Sequence, residues 1–289
     1  MLESPDLPAS LDHLRLLPEG RAWLADVPRL IAECQERWSL ELGDAYPGSY
    51  VSVAVPVTRP RGTLAVLKVQ FPHDESKHEA DALRAWDGQG AVRLLDHDPD
   101  RHALLLERCV PGTHLRHDAH ALDILIGLLP RLWVPAAEPF ARLEDEARLW
   151  AEGLPMQWER AGRPFERRLL DAAVEALNAP ASEPTESVLL HQDLHADNVL
   201  AAGREPWLVI DPKPLRGDRA FSAAPIVRSH ELGHSRDAVL QRLDRITAET
   251  GIDRERARLW TLGQTLAWAF EGDRPLSRHV DTARWLLDA

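Results

Sequence analysis

Cysteine is nearly absent: the 289 residues contain two, Cys34 and Cys109, without metal-binding spacing. This excludes a disulfide framework or a cysteine-built zinc site and suits reduced thiols in a cytosolic protein. No apolar run approaches the ~20 residues needed to cross a bilayer. No signal peptide stands at the start, so a cytoplasmic location is expected. An excess of positive charge is missing too: 34 Lys+Arg face 46 Asp+Glu, a formal net charge of −12. That argues against nucleic acid or an anionic membrane as partner and suits a small cationic molecule. There is no internal repeat, and the one loose stretch is 178–187, NAPASEPTES. Neither a Walker motif nor G-x-G-x-x-G is present. What the chain does have is length and 44% hydrophobic residues, enough for a large core divided into two lobes.

Chemistry concentrates in residues 188–219, VLLHQDLHADNVLAAGREPWLVIDPKPLRGDR. The apolar run Val188–Leu190 leads into His191, Asp193 and Asn198; a turn around Gly203 follows, and a second run, Trp207–Ile210, delivers Asp211. This reads as strand, polar loop, strand, turn, strand, carboxylate. H-x-D-x-x-x-x-N followed by a strand ending in Asp is an arrangement that phosphoryl transfer uses. Asp193 accepts or orients the proton of an acceptor hydroxyl, while Asn198 and Asp211 supply hard oxygens to Mg²⁺ on nucleotide phosphates. A polar surface loop between strands is the plainer alternative for an H-x-D alone, but the two apolar flanks and the second carboxylate make the whole pattern far more specific.

HQDLHADNVL and VIDPKPLRGD resemble the aminoglycoside phosphotransferases, in particular the branch of streptomycin 6-phosphotransferases and hydroxyurea-resistance kinases. The resemblance extends to RAWLADVPRLIAECQERW, AVLKVQFP, EADALRAW, AVRLLDHD, ALLLERCVPG and REPWLVIDPKPLRGD, and thins over 115–185 and beyond 221. It implies an α+β, bilobal, protein-kinase-like fold. An antiparallel-sheet N-lobe (1–108) would bind nucleotide, and a mainly helical C-lobe (109–289) would be catalytic and bind the acceptor. ATP or GTP with Mg²⁺ is expected between the lobes.

In chain order, a Pro-rich segment (1–19) is expected to wrap the first lobe, and Trp23, Val27, Leu30, Ile31, Cys34 and Trp38 mark a helix over 20–38. Two strands follow, joined by a loop around Gly43 and Gly48. By itself that loop is an ordinary hairpin turn; the resemblance gives it a phosphate-covering role, with Ser49 as a hydrogen-bond donor. Lys68 is a lone cation in the apolar strand 64–69, where a charge is costly unless paired or functional. Either it lies on a solvent-facing edge, or it matches the V-A-I-K lysine that grips the α- and β-phosphates. Its carboxylate partner would be Glu79 on a helix over 75–86, with Glu75 as competitor. Strands over 91–97 and 103–108 complete the sheet. The crossing segment, with Glu107, Arg108 and Cys109, would offer backbone groups to adenine, and Pro111-Gly112 ends it. Helices are expected over 119–133, 140–152, 164–178, 236–250 and 254–271, with Trp260, Leu262, Leu266, Trp268 and Phe270 as packing residues.

Around Asp193, His191 reads as a loop-former bonded to backbone. His195 either donates to the γ-phosphate or packs, and Lys213 either neutralises phosphate charge or pairs with Asp218. Asp197, Glu271 and Asp273 are the candidate contacts to a cationic acceptor, the last two being equally consistent with a solvated helix end. The chain is thus expected to be a monomeric small-molecule kinase whose acceptor is a streptomycin-like aminoglycoside. The alternatives are a kinase of a sugar, hydroxyurea or another metabolite, and a non-catalytic nucleotide-binding module, against which intact Lys68, Asp193, Asn198 and Asp211 argue. A protein-substrate kinase is disfavoured by D-P-K at 211–213 and by the lack of an A-P-E segment.

Overall fold

A computed structural model describes residues 7–182 and 186–289. Parts of the expected wrapping segment (1–6) and of the expected loop (183–185) lie outside the described residues. The chain divides into two compact units, one up to Gly112 and one from Thr113.

The first unit begins with a 3₁₀ helix, Ala9–Leu16, and α1, Pro18–Trp38. Pro18 opens α1 at a position whose N–H would have no helical partner anyway. Trp23, Leu24, Val27, Leu30, Ile31 and Cys34 form its buried stripe. The stripe packs on one face of an antiparallel sheet of β1 (Glu41–Leu42), β2 (Ser52–Thr58), β3 (Leu64–Gln70), β4 (Leu94–Asp98) and β5 (Ala103–Glu107), in the order β1-β2-β3-β5-β4. Because side chains alternate along a strand, Ala65, Leu67 and Val69 join this core while Lys68 and Gln70 share the opposite face. Helix α2 spans Glu79–Trp86, starting later than expected. Residues Asp74–Ser76 instead form a 3₁₀ turn in which the Ser76 hydroxyl donates to His73 O at 3.0 Å, a local bond that competes with the helix. Glu79 is therefore the first helical residue, and Glu75 stands exposed in the preceding turn.

The second unit contains α3 (Ala121–Leu132), α4 (Leu143–Arg160), α5 (Arg167–Ala181), β6 (Val188–Leu190), β7 (Val199–Ala201), β8 (Trp207–Val209), β9 (Leu215–Gly217), α6 (Ala223–Arg228), α7 (Arg236–Thr250), α8 (Arg254–Ala267), β10 (Phe270–Glu271), β11 (Arg274–Pro275) and α9 (Ser277–Leu287). The pairs β6–β9, β7–β8 and β10–β11 are antiparallel. Helix α4 outruns its expected end at 152, through Gly153 and Pro155, because Leu154 and Trp158 continue its buried stripe. Helix α8 stops at Ala267 rather than 271, so Glu271 and Asp273 belong to a hairpin, not to a helix end. Helices α6 and α9 lay outside the expectations; both are short and held by burial, α9 through Val280, Ala283 and Leu286. Gly263 lets α8 lie close against α5: a Cβ there would stand 2.6 Å from Leu177 Cγ. Among the described residues no helix is long and apolar enough to cross a membrane.

Candidate active site

In the first unit the lone strand lysine is buried and paired. Lys68 and Glu79 are 7% and 1% exposed, with Lys68 Nζ 2.8 Å from Oε1 and 2.6 Å from Oε2 of Glu79. Gln70, two residues along the same strand face, donates from Nε2 to Glu79 Oε2 at 2.6 Å. The carboxylate is thus held from two strand positions at the start of α2, which excludes the solvent-edge alternative for Lys68 and prefers Glu79 to Glu75. Gln70 had escaped the sequence reading, although its spacing from Lys68 places it on the same face. Of the other first-unit candidates, Ser49 is half-buried, its carbonyl accepting from the Ser10 hydroxyl at 2.6 Å. Glu107 uses its carboxylate to accept the Arg93 N–H at 3.0 Å, and Cys109 is buried.

In the second unit, β6 ends just before His191, and the β7–β8 pairing brings the two loops together. The register sets Val199 opposite Val209, and Ile210 N–H donates to Asn198 O at 2.9 Å, so Asn198 and Asp211 come to one place. His191 locks this arrangement. Its Nε2 donates to Ile210 O at 2.9 Å, and its carbonyl accepts from the N–H groups of Asp193 (2.8 Å) and Lys213 (3.1 Å). Burial pushes its pKa down to about 4, so the ring is neutral and acts as a strut. Gln192 and Asp211 both adopt left-handed backbone, at φ 62° and φ 56°. That conformation costs a non-glycine residue energy, and Asp is among the residues that tolerate it best.

Asn198 donates from Nδ2 to Asp193 O at 2.9 Å, which leaves its Oδ1 as the end available to a cation. Asp211 adds a carboxylate. Among the described residues no group of three or more His, Cys, Asp or Glu forms a metal cage. Two hard oxygens nevertheless fit Mg²⁺, which keeps waters and phosphate oxygens for its remaining positions.

Asp193 lies between two cations. Lys213 Nζ is 3.2 Å from Oδ2, and Arg228 Nη2, from the end of α6, is 3.3 Å from Oδ1. Burial opposes ionisation of Asp193, but the charges of Lys213, His195 and Arg228 outweigh it and hold the carboxyl well below the usual carboxylate range. Lys213 therefore takes Asp193, not Asp218. Asp218 is already engaged by the Trp260 indole N–H at 2.9 Å, Arg256 Nε at 2.8 Å and the Ala220 N–H at 2.9 Å. His195 neither faces the site alone nor merely packs. Its Nδ1 is 3.3 Å from Glu231 Oε1, the oxygen that also accepts the Ala196 N–H at 3.2 Å, and its Nε2 is 3.9 Å from Asp193 Oδ1. Burial disfavours the imidazolium, yet the Glu231 hydrogen bond and the Asp193 charge raise the His195 pKa overall. Glu231 itself, with burial opposed by that bond, is lowered to about 2.

The expected acceptor carboxylates are mostly taken. Asp197 pairs with Arg116 at 3.0 Å and Asp273 with Arg160, because arginines distant in sequence fold onto them. Glu271 is exposed on its hairpin beside Phe270, which packs on Phe165. Arg228 and Glu231 left no sequence signal, since nothing local ties them to Asp193. Trp268, read as packing, is half-buried and lies beneath two of the site's cations, with Arg228 Cζ 4.3 Å and Lys213 Nζ 5.4 Å from its ring centroid.

Comparison with known proteins bears on the family and the fold. The sequence model of the aminoglycoside/hydroxyurea antibiotic resistance kinases matches residues 37–273. A streptomycin 6-kinase of Streptomyces glaucescens is 40% identical over 276 residues, covering 92% of this chain and 89% of that protein. A hydroxyurea phosphotransferase of Kitasatospora aureofaciens is 42% identical over 296 residues, covering 98% and 86% respectively. Among solved structures, a thermostable mutant of aminoglycoside phosphotransferase APH(4)-Ia, in ternary complex with AMP-PNP and hygromycin B, shares the fold at a TM-score of 0.60. It is 15% identical, over 89% of this chain and 95% of that one. The antiparallel-sheet unit and the helical unit accord with these likenesses: the chain belongs to the aminoglycoside/hydroxyurea antibiotic resistance kinase family, with an α+β, protein-kinase-like fold.

Proposed function

We propose that this protein moves the γ-phosphoryl group of ATP or GTP to a hydroxyl of a streptomycin-like aminoglycoside, the first unit holding the nucleotide and the second the acceptor. The observation that carries this reading is the meeting of Asp193, Asn198 and Asp211 on two loops tied together through His191 and Ile210. The acceptor hydroxyl donates its hydrogen bond to Asp193, which aims the oxygen at phosphorus. As the new O–P bond forms, the bond to the nucleoside diphosphate breaks, and the hydroxyl proton passes to Asp193 and on to water. Asn198 Oδ1 and the Asp211 carboxylate are the proposed Mg²⁺ ligands; bound there, the ion neutralises phosphate charge. Lys68, braced by Glu79 and Gln70, is proposed to grip the α- and β-phosphates.

The acceptor class is supported by the streptomycin 6-kinase likeness and by the net charge of −12. Phosphorylation adds negative charge to a cationic antibiotic and weakens its hold on anionic ribosomal RNA. The 42% likeness to a hydroxyurea phosphotransferase gives a second reading with the same transfer chemistry and a different acceptor.

A coupled assay of ADP and GDP release, with Mg²⁺ and a panel of streptomycin, other aminoglycosides, hydroxyurea and simple sugars, tests both. Release dependent on streptomycin supports the first reading and release dependent on hydroxyurea the second. Magnesium-independent release, or none with any acceptor, refutes the mechanism.

A further inference from the structure

The mechanism above leaves three side chains beside Asp193 unused. Arg228 is the most unusual of them: its side chain is 10% exposed, and a guanidinium so far removed from water is costly unless compensated. Part of its compensation is Asp193. Another part is the Trp268 ring, 4.3 Å from Arg228 Cζ. The same ring takes Lys213 Nζ at 5.4 Å. One indole thus touches both cations that flank Asp193, although the three residues come from the segment after β8, the end of α6 and the end of α8.

The indole is also held in place. Trp268 meets Trp150 edge-on, with centroids 6.4 Å apart at 84°. Trp150 stacks on Phe221 at 6.1 Å and 21°, and Phe221 meets Trp260 edge-on at 5.7 Å and 86°. Trp260 is in turn fixed by its N–H bond to Asp218. These are the offset and edge-to-face geometries that aromatic quadrupoles favour, and they run from the site into a buried core. Packing alone would not require an electron-rich ring beneath two cations.

We infer that Trp268 is a positioning residue for phosphoryl transfer: it carries Arg228 and Lys213, fixes one on each oxygen of Asp193, and so holds two cations where the transferred group gathers charge. The inference rests on the proposed function and deepens it. The acceptor oxygen must sit within hydrogen-bond reach of Asp193, so cations 3.2 and 3.3 Å from that carboxylate lie beside the phosphorus it attacks. Preorganised charge at that place acts more strongly on the transition state than on the bound nucleotide, so its loss shows in kcat rather than in KM.

The test compares Trp268→Leu, Trp268→Phe, Arg228→Met and the double variant Trp268→Leu/Arg228→Met with the wild-type chain in Mg-nucleotide turnover with the acceptor found in the screen. Trp268→Leu is expected to lower kcat by about 10- to 100-fold, the effect of one or two partly desolvated cation–π contacts, and to change the nucleotide KM by less than about threefold. Trp268→Phe keeps a π face and should stay within about fivefold of wild type. The double variant should lose less than the two single losses multiplied, because Trp268 acts on the rate partly through Arg228, with only its hold on Lys213 left to lose. Equal losses in the Leu and Phe variants, or fully additive losses in the double variant, would mean a packing role and overturn the inference. So would a Trp268→Leu kcat within about threefold of wild type. Circular dichroism and melting check the fold; should Trp268→Leu not fold, the cycle of Trp268→Phe against Arg228→Met replaces it, and a Trp268→Phe loss that is undiminished in the Arg228→Met background overturns the inference. If the wild-type chain transfers phosphate to no acceptor, the proposed function fails and the inference with it; if wild type turns over and the variants behave as packing mutants, the inference alone fails.

Discussion

Replacing Lys68 by Met separates what the Lys68–Glu79 pair does for the fold from what it does for the nucleotide. Both side chains are nearly inaccessible, and Gln70 also donates to Glu79. Methionine fills most of the lysine stem's volume but leaves the Glu79 carboxylate buried with an amide in place of a cation. Breaking a buried ion pair from one side costs roughly 3–5 kcal/mol, whereas replacing both partners by apolar residues is often close to neutral. The single variant should therefore destabilise the first unit by that amount, and Lys68→Met/Glu79→Leu should recover most of it. Turnover should behave differently: both variants lack the charge proposed to grip the phosphates, so both should lose orders of magnitude in kcat/KM, as removal of a preorganised charge contact does. Hydrogen exchange of the β3 amides reads the stability of the sheet, and the release assay reads turnover. The reasoning fails if Lys68→Met is stable to within about 1 kcal/mol of wild type. It fails equally if the double variant regains activity along with stability.

Other expectations are as specific. Asp193→Ala should abolish transfer while Mg-nucleotide still binds, and Asp211→Ala should weaken that binding itself; calorimetry with a non-hydrolysable nucleotide separates the two, and normal turnover by Asp193→Ala would remove the basis of the site assignment. His191 titrates at 6.5 ordinarily and at about 4 in the fold, so between these values the unfolded chain holds a proton that the native one lacks. Its contribution is complete above the higher value and declines as pH falls toward the lower one, by up to about 3 kcal/mol. His191→Gln should flatten that part of the stability–pH curve, and an unchanged slope would contradict a neutral buried ring. Gly263→Ala sets a helix-propensity gain of up to ~1 kcal/mol against an overpacking cost of about 1–3 kcal/mol, since the new methyl meets Leu177 Cγ at 2.6 Å and its backbone N at 3.3 Å. Net destabilisation on melting is the expected sign.

The parts of the site that were legible in sequence are those whose geometry is local. From β6 to β9 the chain runs strand, loop, strand, turn and strand within about thirty residues, so apolar runs and H-x-D-x-x-x-x-N alone put Asp193, Asn198 and Asp211 together. Lys68 was legible because a cation in an apolar strand needs a partner, and Glu79 stood on the next helix. Boundaries were less legible where tertiary burial or a competing local hydrogen bond outvoted the periodic pattern. Pro155 does not end α4, since Leu154 and Trp158 face the core, and α2 starts late because a serine turn precedes it.

What the amino-acid order determined by itself was the chemistry available: an oxygen-rich loop between strands, a buried cation with a carboxylate to match, an acidic balance and almost no cysteine. Which side chains surround Asp193 was decided only by the tertiary structure. The contact of Arg228 with Asp193 and that of Glu231 with the Ala196 N–H each span 35 residues, and Trp268 arrives from the end of another helix. Lys213 had two acidic candidates; the fold gave Asp218 to Arg256 and Trp260, 38 and 42 residues away, and left Asp193 to the lysine. The physical reason is range: backbone periodicity and turn chemistry act over a few residues and can be read along the chain, whereas the pairing of a half-buried charge depends on which distant elements the hydrophobic core brings within about 4 Å of it.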